Sequence, residues 1–445
     1  MFQPDIETMT LPRLRKLQSE RLKNQLGLLY EKVPFYRKKM DEAGIRPKDF
    51  RGIKDIHKLP FTKKSDLRDH YPYGLMTMQL EKIKRIHASS GTTGKPTVVG
   101  YSSNDISIFS EVVARSLVAA GGRPGMMLQN AYGYGLFTGG LGLHYGAELL
   151  GMTVVPVSGG MTDRKLLLLQ DFKPHMIACT PSYAQTLGEE VVRRGIDVSK
   201  LNLRYAILGA EPWTEAVRSD VEKNLHVTAT NIYGLSEIIG PGVSQEDHEE
   251  RGSGSYVWED HFFPEIVDKD TGEPLEEGKH GVLVFTTLTK EAMPLLRYWT
   301  NDITWLNYDK SGKRTHIKMG PIIGRSDDML IIRGVNLFHT QIEDLLQNME
   351  GLAASYQLVV TRDKSMDEVE VLVEVDKEHY RALGEPSLSD PESTPERFLE
   401  IRNRFVSRIK GEIGLTMQVT LQPPGKIPRS EGGKLSRIKD LRVKK

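Results

Sequence analysis

The octet Ser89-Ser90-Gly91-Thr92-Thr93-Gly94-Lys95-Pro96 gathers residue types that suit a polyphosphate. Glycines let the backbone turn its N–H groups inward, hydroxyls add donors, and the lysine adds a cation. It is not a Walker A loop. The G-x-x-x-x-G-K-[ST] spacing is absent, and Pro96 stands where a magnesium-binding Ser or Thr should follow the lysine. A second stretch, Ala131 to Gly140, mixes Tyr132, Tyr134 and Phe137 with glycines that include Gly135. Glycines let a flat ligand approach the backbone and aromatic rings supply apolar walls, as an aryl acid requires. The competing reading is a packing loop between sheet and helix. His144, His261 and His339 form no H-E-x-x-H or comparable spacing and are read as structural. The single cysteine, Cys179, ends the apolar run Met176-Ile177-Ala178, so it reads as a buried small residue. One cysteine excludes an intrachain disulfide and a zinc site built on several thiolates, and no zinc is expected.

Alternating elements must hold these stretches in place. Asn104 and Asp105 open an amphipathic helix ending at Gly121-Gly122. Strands are predicted near 126–130, 153–157, 175–179, 205–208 and 227–231, with helices between them. Such alternation predicts a mostly parallel sheet with helices on its faces, and ligands in these sheets sit beyond the carboxyl ends of the strands. The segments after 208 and 231 therefore belong to the expected site. Beyond 255, short strands with turns predict a small β subdomain. Gly320 to Asp328 reads as a linker, and strands and helices from 329 to 421 predict a separate α+β domain. The expected architecture is α/β. A large domain, 1–326, holds parallel sheets flanked by helices plus the β subdomain. A small mobile α+β domain, 327–445, can close over a substrate.

The 445 residues carry 60 basic and 59 acidic side chains, a net charge of +1, with 39% hydrophobic and 27% charged residues. That is ordinary globular composition, and it offers no electrostatic reason for a nucleic-acid or anionic-membrane partner. The basic residues Ile438 to Lys445 read as a solvated tail. The opening MFQPDIETMT lacks a basic region followed by an apolar stretch, and no apolar run approaches membrane-spanning length, which predicts a cytoplasmic protein.

Further runs follow the octet in order: Gly209-Ala210-Glu211-Pro212-Trp213, Tyr233-Gly234-Leu235-Ser236-Glu237, Arg297 to Asp302, Gly324-Arg325-Ser326-Asp327-Asp328, and Gly433-Lys434. Taken with the octet, they resemble the adenylate-forming superfamily of acyl-CoA synthetases, luciferases and adenylation domains. YGLSEIIGPGV, WEDHFFPEI, GRSDDMLIIRGVN and IPRSEGGK are most similar to its phenylacetate–coenzyme A ligase branch, and the resemblance covers nearly the whole chain.

The resemblance implies an enzyme that makes an acyl-adenylate from an aryl acid and ATP, then transfers the acyl group to coenzyme A. Ser89, Ser90, Gly91, Thr92, Thr93, Gly94 and Lys95 would hold the phosphates, and Glu237 would bind Mg²⁺, which prefers oxygen ligands. Gly209, Ala210, Glu211, Pro212, Asn231, Tyr233 and Gly234 would surround the adenine. Asp302 would accept from both ribose hydroxyls, a task for a carboxylate's two oxygens, and Arg325 would assist. Tyr132, Tyr134, Gly135, Phe137, Gly209 and Gly234 would line the acid pocket. Lys434 and Thr92 are the implied catalytic residues, Asp327 the hinge, and Arg333, Gly334, Val335 and Asn336 the coenzyme A path. A homodimer is implied by resemblance alone. The chain departs from the branch at Trp299 and Asn301, where arginines are expected, and at His339, where proline is expected. Two other functions stay open at this point. One is an adenylating enzyme of this branch acting on another aryl acid, an amino acid or a deazaflavin without coenzyme A. The other is a non-catalytic nucleotide-binding module.

Overall fold

The computed structural model describes residues 1–89, 96–326, 330–332, 335–347, 349–363, 366–388, 394–429 and 437–442. Its centre is a nine-stranded sheet. Thr153–Pro156, Met127–Asn130, Met176–Cys179, Tyr205–Gly209 and Thr228–Leu235 run parallel in that spatial order. Met176–Cys179 is buried throughout, as a strand covered on both faces requires. The covering helices are cut by local signals. Ser102 and Asp105 form a reciprocal capping box that starts Ser103–Ala119. Thr180 caps Pro181–Arg193, which has proline in its first turn.

The sheet then continues antiparallel through Gly240–Glu246, Ser255–Val257, Lys318–Met319 and Leu306–Asn307. A four-stranded antiparallel sheet packs beside it, in the order Phe262–Val267, Gly281–Thr287, Tyr298–Thr304, Gly324–Arg325. The short strands expected beyond 255 include residues 303 to 307. Those residues divide instead between the two sheets, because the chain crosses from one to the other at Trp305.

The C-terminal residues have their own core. Leu337, Ile342, Tyr356, Leu358, Val371, Phe398 and Phe405 belong to one buried cluster that, among the described residues, includes none before 330. Helices His339–Leu346 and Glu396–Ile413 contribute to it, over a sheet ordered Gln418–Gln422, Met366–Val375, Leu352–Asp363, Ile438–Asp440. That last strand corrects one part of the expected solvated tail, since Ile438–Asp440 is paired although Lys439, Asp440 and Leu441 are exposed, and residues 443–445 lie outside the described residues. Ile438–Asp440 pairs in parallel with Leu358 to Val360, and Arg442 ties it down on Asp367 and Asp440, both at 2.7 Å. Among the described residues, no helix is long and apolar enough to cross a membrane.

Candidate active site

Three of the expected segments lie where the fold predicts, beyond the carboxyl ends of the parallel strands. Ala131 to Thr138 follow Met127–Asn130, Ala210 to Trp213 follow Tyr205–Gly209, and Ser236 to Ile239 follow Thr228–Leu235. Two glycines allow the chains to meet this closely. A Cβ on Gly209 would stand 2.0 Å from the Ile232 carbonyl oxygen, and one on Gly234 would stand 1.8 Å from the Gly240 carbonyl oxygen. Ala210 then takes a left-handed φ of 73°, which turns the backbone out of the sheet.

Tyr233, Asp302 and Arg325 come together although the sequence separates them widely. Asp302 and Arg325 are direct partners across neighbouring strands. The Tyr233 hydroxyl donates to Asp302 Oδ2 at 2.6 Å, and Arg325 Nη1 donates to Asp302 Oδ1 at 3.0 Å. Burial and the adjacent carboxylate push the phenol well above its usual value, so Tyr233 remains a donor. The tyrosine–acid contact was not foreseen, since no spacing rule links residues 233 and 302.

Glu211 accepts from the Ser182 hydroxyl at 2.6 Å and from its backbone N–H at 3.3 Å. Asn231 Oδ1 accepts from the Trp213 indole at 3.0 Å. Neither Ser182 nor Trp213 was assigned a role from sequence. Trp213 had a signal, its place in the GAEPW run, whereas Ser182 had none.

Glu237 is nearly buried. Its Oε1 accepts from the Tyr298 hydroxyl at 3.3 Å and lies 4.0 Å from Lys64 Nζ, while Oε2 accepts no hydrogen bond among the described residues. A buried carboxylate with one oxygen still able to accept suits a hard cation. Below it, the buried Lys290 donates to the Glu237 carbonyl oxygen at 2.9 Å. Burial lowers that ammonium to about 8. Lys64, Lys290 and Tyr298 escaped sequence reasoning because each meets Glu237 only through the tertiary fold.

In the aromatic stretch, the buried Tyr132 lies beside Gly209 and Glu211, and burial raises its phenol strongly. A Cβ on Gly139 would stand 2.7 Å from the Phe137 ring and 3.3 Å from that of Tyr132, so this glycine lets the two rings converge. Asn130 Nδ2 donates to the Tyr134 hydroxyl and to the Gly140 carbonyl, both at 2.8 Å, which anchors the segment at both ends. Tyr134 is raised to about 12, chiefly by burial, and its hydroxyl also meets His144 Nδ1 at 3.1 Å. Gly135 is exposed. The other histidines serve packing. His261 lies between Glu111 and Asp260, at 3.1 and 3.2 Å. His339 opens a helix at a position that favours proline, and its Nδ1 lies 3.0 Å from the Tyr356 hydroxyl. Cys179 is wholly buried, which pushes its thiol up to about 12.

Ser89 ends strand Arg85–Ser89 and pairs with Thr97, and its hydroxyl has no partner among the described residues. Ser90, Gly91, Thr92, Thr93, Gly94, Lys95, Asp327, Arg333, Gly334 and Lys434 lie outside the described residues. Val335 and Asn336 lie in strand Val335–Leu337, paired with Leu330–Ile332.

The parallel sheet with an aromatic strip at its carboxyl ends, and the acid–arginine pair on the four-stranded sheet beside it, fit a nucleotide-binding α/β enzyme. Residues 58–289 match the AMP-binding enzyme family, and residues 334–442 match the AMP-binding enzyme C-terminal domain. A phenylacetate–coenzyme A ligase of Thermus thermophilus is 62% identical over 99% of this chain and 100% of its own length. That of Escherichia coli is 50% identical over 98% of this chain and 97% of its own. The chain belongs to the AMP-binding enzyme family, in its phenylacetate–coenzyme A ligase branch. Among solved structures, a 2-hydroxyisobutyryl-CoA ligase in the postadenylation state, bound to 2-HIB-AMP, is 27% identical with a TM-score of 0.90. That match covers 98% of this chain and 91% of the other. The same ligase with 2-HIB-AMP and CoA in the thioesterification state gives 0.71 at 27% identity, over 99% of this chain and 92% of the other.

Proposed function

We propose that this protein joins an aryl acid, phenylacetate first among candidates, to coenzyme A with cleavage of ATP to AMP and diphosphate. A carboxylate oxygen attacks the α-phosphorus, the bond to the bridging oxygen breaks, and its electron pair leaves on diphosphate. The coenzyme A sulfur then attacks the acyl carbonyl. The bond to the phosphate oxygen breaks, AMP leaves, and the thiol proton passes to solvent. The observation that carries this reading is the Tyr233–Asp302–Arg325 cluster on a chain so similar to phenylacetate–coenzyme A ligases.

Asp302 accepts from the ribose hydroxyls, and Arg325 beside it helps to hold the ribose or phosphate. Glu211, Pro212, Asn231, Tyr233 and the tight Gly209–Ala210 turn hold the adenine. Tyr132, Tyr134 and Phe137 seat the aryl ring, with Gly135 at the mouth. Glu237 holds Mg²⁺, which when bound screens phosphate charge. The Ser89–Lys95 segment cradles the phosphates, with Thr92 at the reacting group. Lys434 offsets charge developing on phosphorus during adenylation. Little covalent help is needed, so positioning and electrostatics dominate.

The two domains divide at 326/327 with Asp327 as hinge, and residues 333–336 flank the pantetheine path once the small domain has turned. The separate C-terminal core supports this division, and so do the different likenesses to one ligase in two states. Thr340 Oγ1 on the C-terminal side donates to the Ile323 carbonyl at 2.6 Å and Arg429 Nε donates to Glu189 Oε2 at 3.3 Å, contacts that a rotation can break. A homodimer is part of the proposal and rests on resemblance; sedimentation tests it. The experiment for the whole reading is a panel of aryl and alkyl acids with ATP, Mg²⁺ and coenzyme A, followed by AMP formation. Phenylacetate should give AMP that depends on coenzyme A. Diphosphate exchange without coenzyme A turnover would assign the chain to adenylation alone.

A further inference from the structure

Beside the ribose acid lies a cleft of 510 Å³ lined by Lys63, Lys64, Arg68, Lys269, Trp299 and Asn301. Its inner end meets the site, with Lys64 Nζ 4.0 Å from Glu237 Oε1 and Asn301 immediately before Asp302. Its outer end carries the exposed Lys63 and Lys269. Lys63 Nζ lies 5.8 Å from the centre of the Trp299 ring, which Phe61 braces edge-on at 5.0 Å. Of the nearby carboxylates, Asp270 lines the cleft beside Lys269, and Asp66 is engaged outside it. Asp270 pairs with Lys269 at 2.8 Å, and Asp66 pairs with Lys39 at 3.0 Å and accepts from the Lys63 backbone N–H at 2.8 Å. Arg68 is different, because its Nε is buried and has no hydrogen-bond partner among the described residues. A buried donor without an acceptor calls for an explanation, and a ligand is a leading one.

We propose that this cleft is a transient binding site for the inorganic diphosphate leaving group, with Arg68 inside it and Lys269 at its rim. The inference rests on the AMP-forming reading above. Once the bond to the α-phosphorus breaks, a small polyanion must leave past the carboxylates of Glu237 and Asp302. A row of cations from Lys64 to Lys269 supplies counter-charge along that way, and the guanidinium of Arg68 presents the donors that phosphate oxygens accept.

The test is product inhibition by inorganic diphosphate of AMP formation, at saturating Mg²⁺ and aryl acid, in the wild type, R68Q and K269Q. Lys269 sits on an exposed turn, so K269Q keeps the fold; R68Q is checked by its melting temperature. Loss of one charge-assisted contact raises the diphosphate inhibition constant about tenfold in R68Q and about threefold in K269Q, while KM for ATP and for coenzyme A stays within about twofold. Unchanged inhibition in both variants overturns the proposal. So does a matching rise in KM for ATP, which would make the cleft part of the triphosphate subsite. A rise in KM for coenzyme A alone assigns it instead to that nucleotide's phosphates and also overturns the proposal. If the wild type forms no AMP with any acid, the functional reading fails. Calorimetric titration of the wild type and K269Q with diphosphate then decides the cleft separately.

Discussion

Lys290→Met tests how the turn bearing Glu237 is held. Lys290 is fully buried under that turn, its Nζ 2.9 Å from the Glu237 carbonyl and 5.1 Å from the centre of the Tyr101 ring. Tyr101 donates to the Ile239 and Ser236 carbonyls at 3.0 and 3.3 Å. Asp105 accepts the backbone N–H groups of Glu291 and Ala292, at 2.7 and 2.9 Å, which fixes the segment that carries Lys290. Methionine keeps the stem and removes the charge. Keeping an ammonium whose pKa falls from 10.5 to about 8 costs about 3 kcal/mol, at 1.36 kcal/mol per unit. Against that relief stands the loss of a charge-assisted hydrogen bond, about 1.5–3 kcal/mol. The terms nearly cancel, so K290M should melt close to the wild type at pH 7. Because burial depresses the group, the wild type gains stability relative to K290M as pH rises from 8 to 10.5.

Function should not cancel in this way. Glu237 loses the donor that fixes its backbone, and such supporting contacts are worth about 10–100-fold in metal affinity. We expect the Mg²⁺ activation constant for AMP formation to rise about tenfold, with kcat at saturating Mg²⁺ largely restored. An unchanged Mg²⁺ curve in a folded K290M would show that Tyr101 alone holds the turn. A collapse of the melting temperature would refute the cancellation.

Gly234→Ala places a Cβ 1.8 Å from a backbone carbonyl, so it should lose about 2–3 kcal/mol of stability, read by denaturant titration, together with ATP-dependent activity. Glu343, buried at the start of the C-terminal core, is raised to about 7 by desolvation. Its contribution to stability is full below pH 4.5 and is lost as pH rises through 7, on the order of 3 kcal/mol. Glu343→Gln should flatten that slope in melting experiments between pH 5 and 8. Lys434→Ala should slow adenylate formation by roughly 10²–10³-fold and spare thiolysis of a preformed acyl-adenylate. Equal loss in both half-reactions would remove Lys434 from the adenylation step.

The sequence alone determined the periodic part of this protein. Buried strands such as Met176–Cys179 and capped helices such as Ser103–Ala119 follow from local patterning and local hydrogen bonds. The order of the Ser89, Glu211, Tyr233, Asp302 and Lys434 motifs was equally legible, because each is a contiguous run. Tertiary structure decided what was not contiguous. The meeting of Tyr233 with Asp302, of Ser182 with Glu211 and of Lys290 with Glu237 depends on strands and turns far apart in the chain. Ile438–Asp440 reads as a charged tail because its partners, Leu358 to Val360, lie some eighty residues earlier. Periodicity reports which face of an element is buried, but not which element covers it. The buried Arg68 Nε and the cation-lined cleft are consequences of that covering.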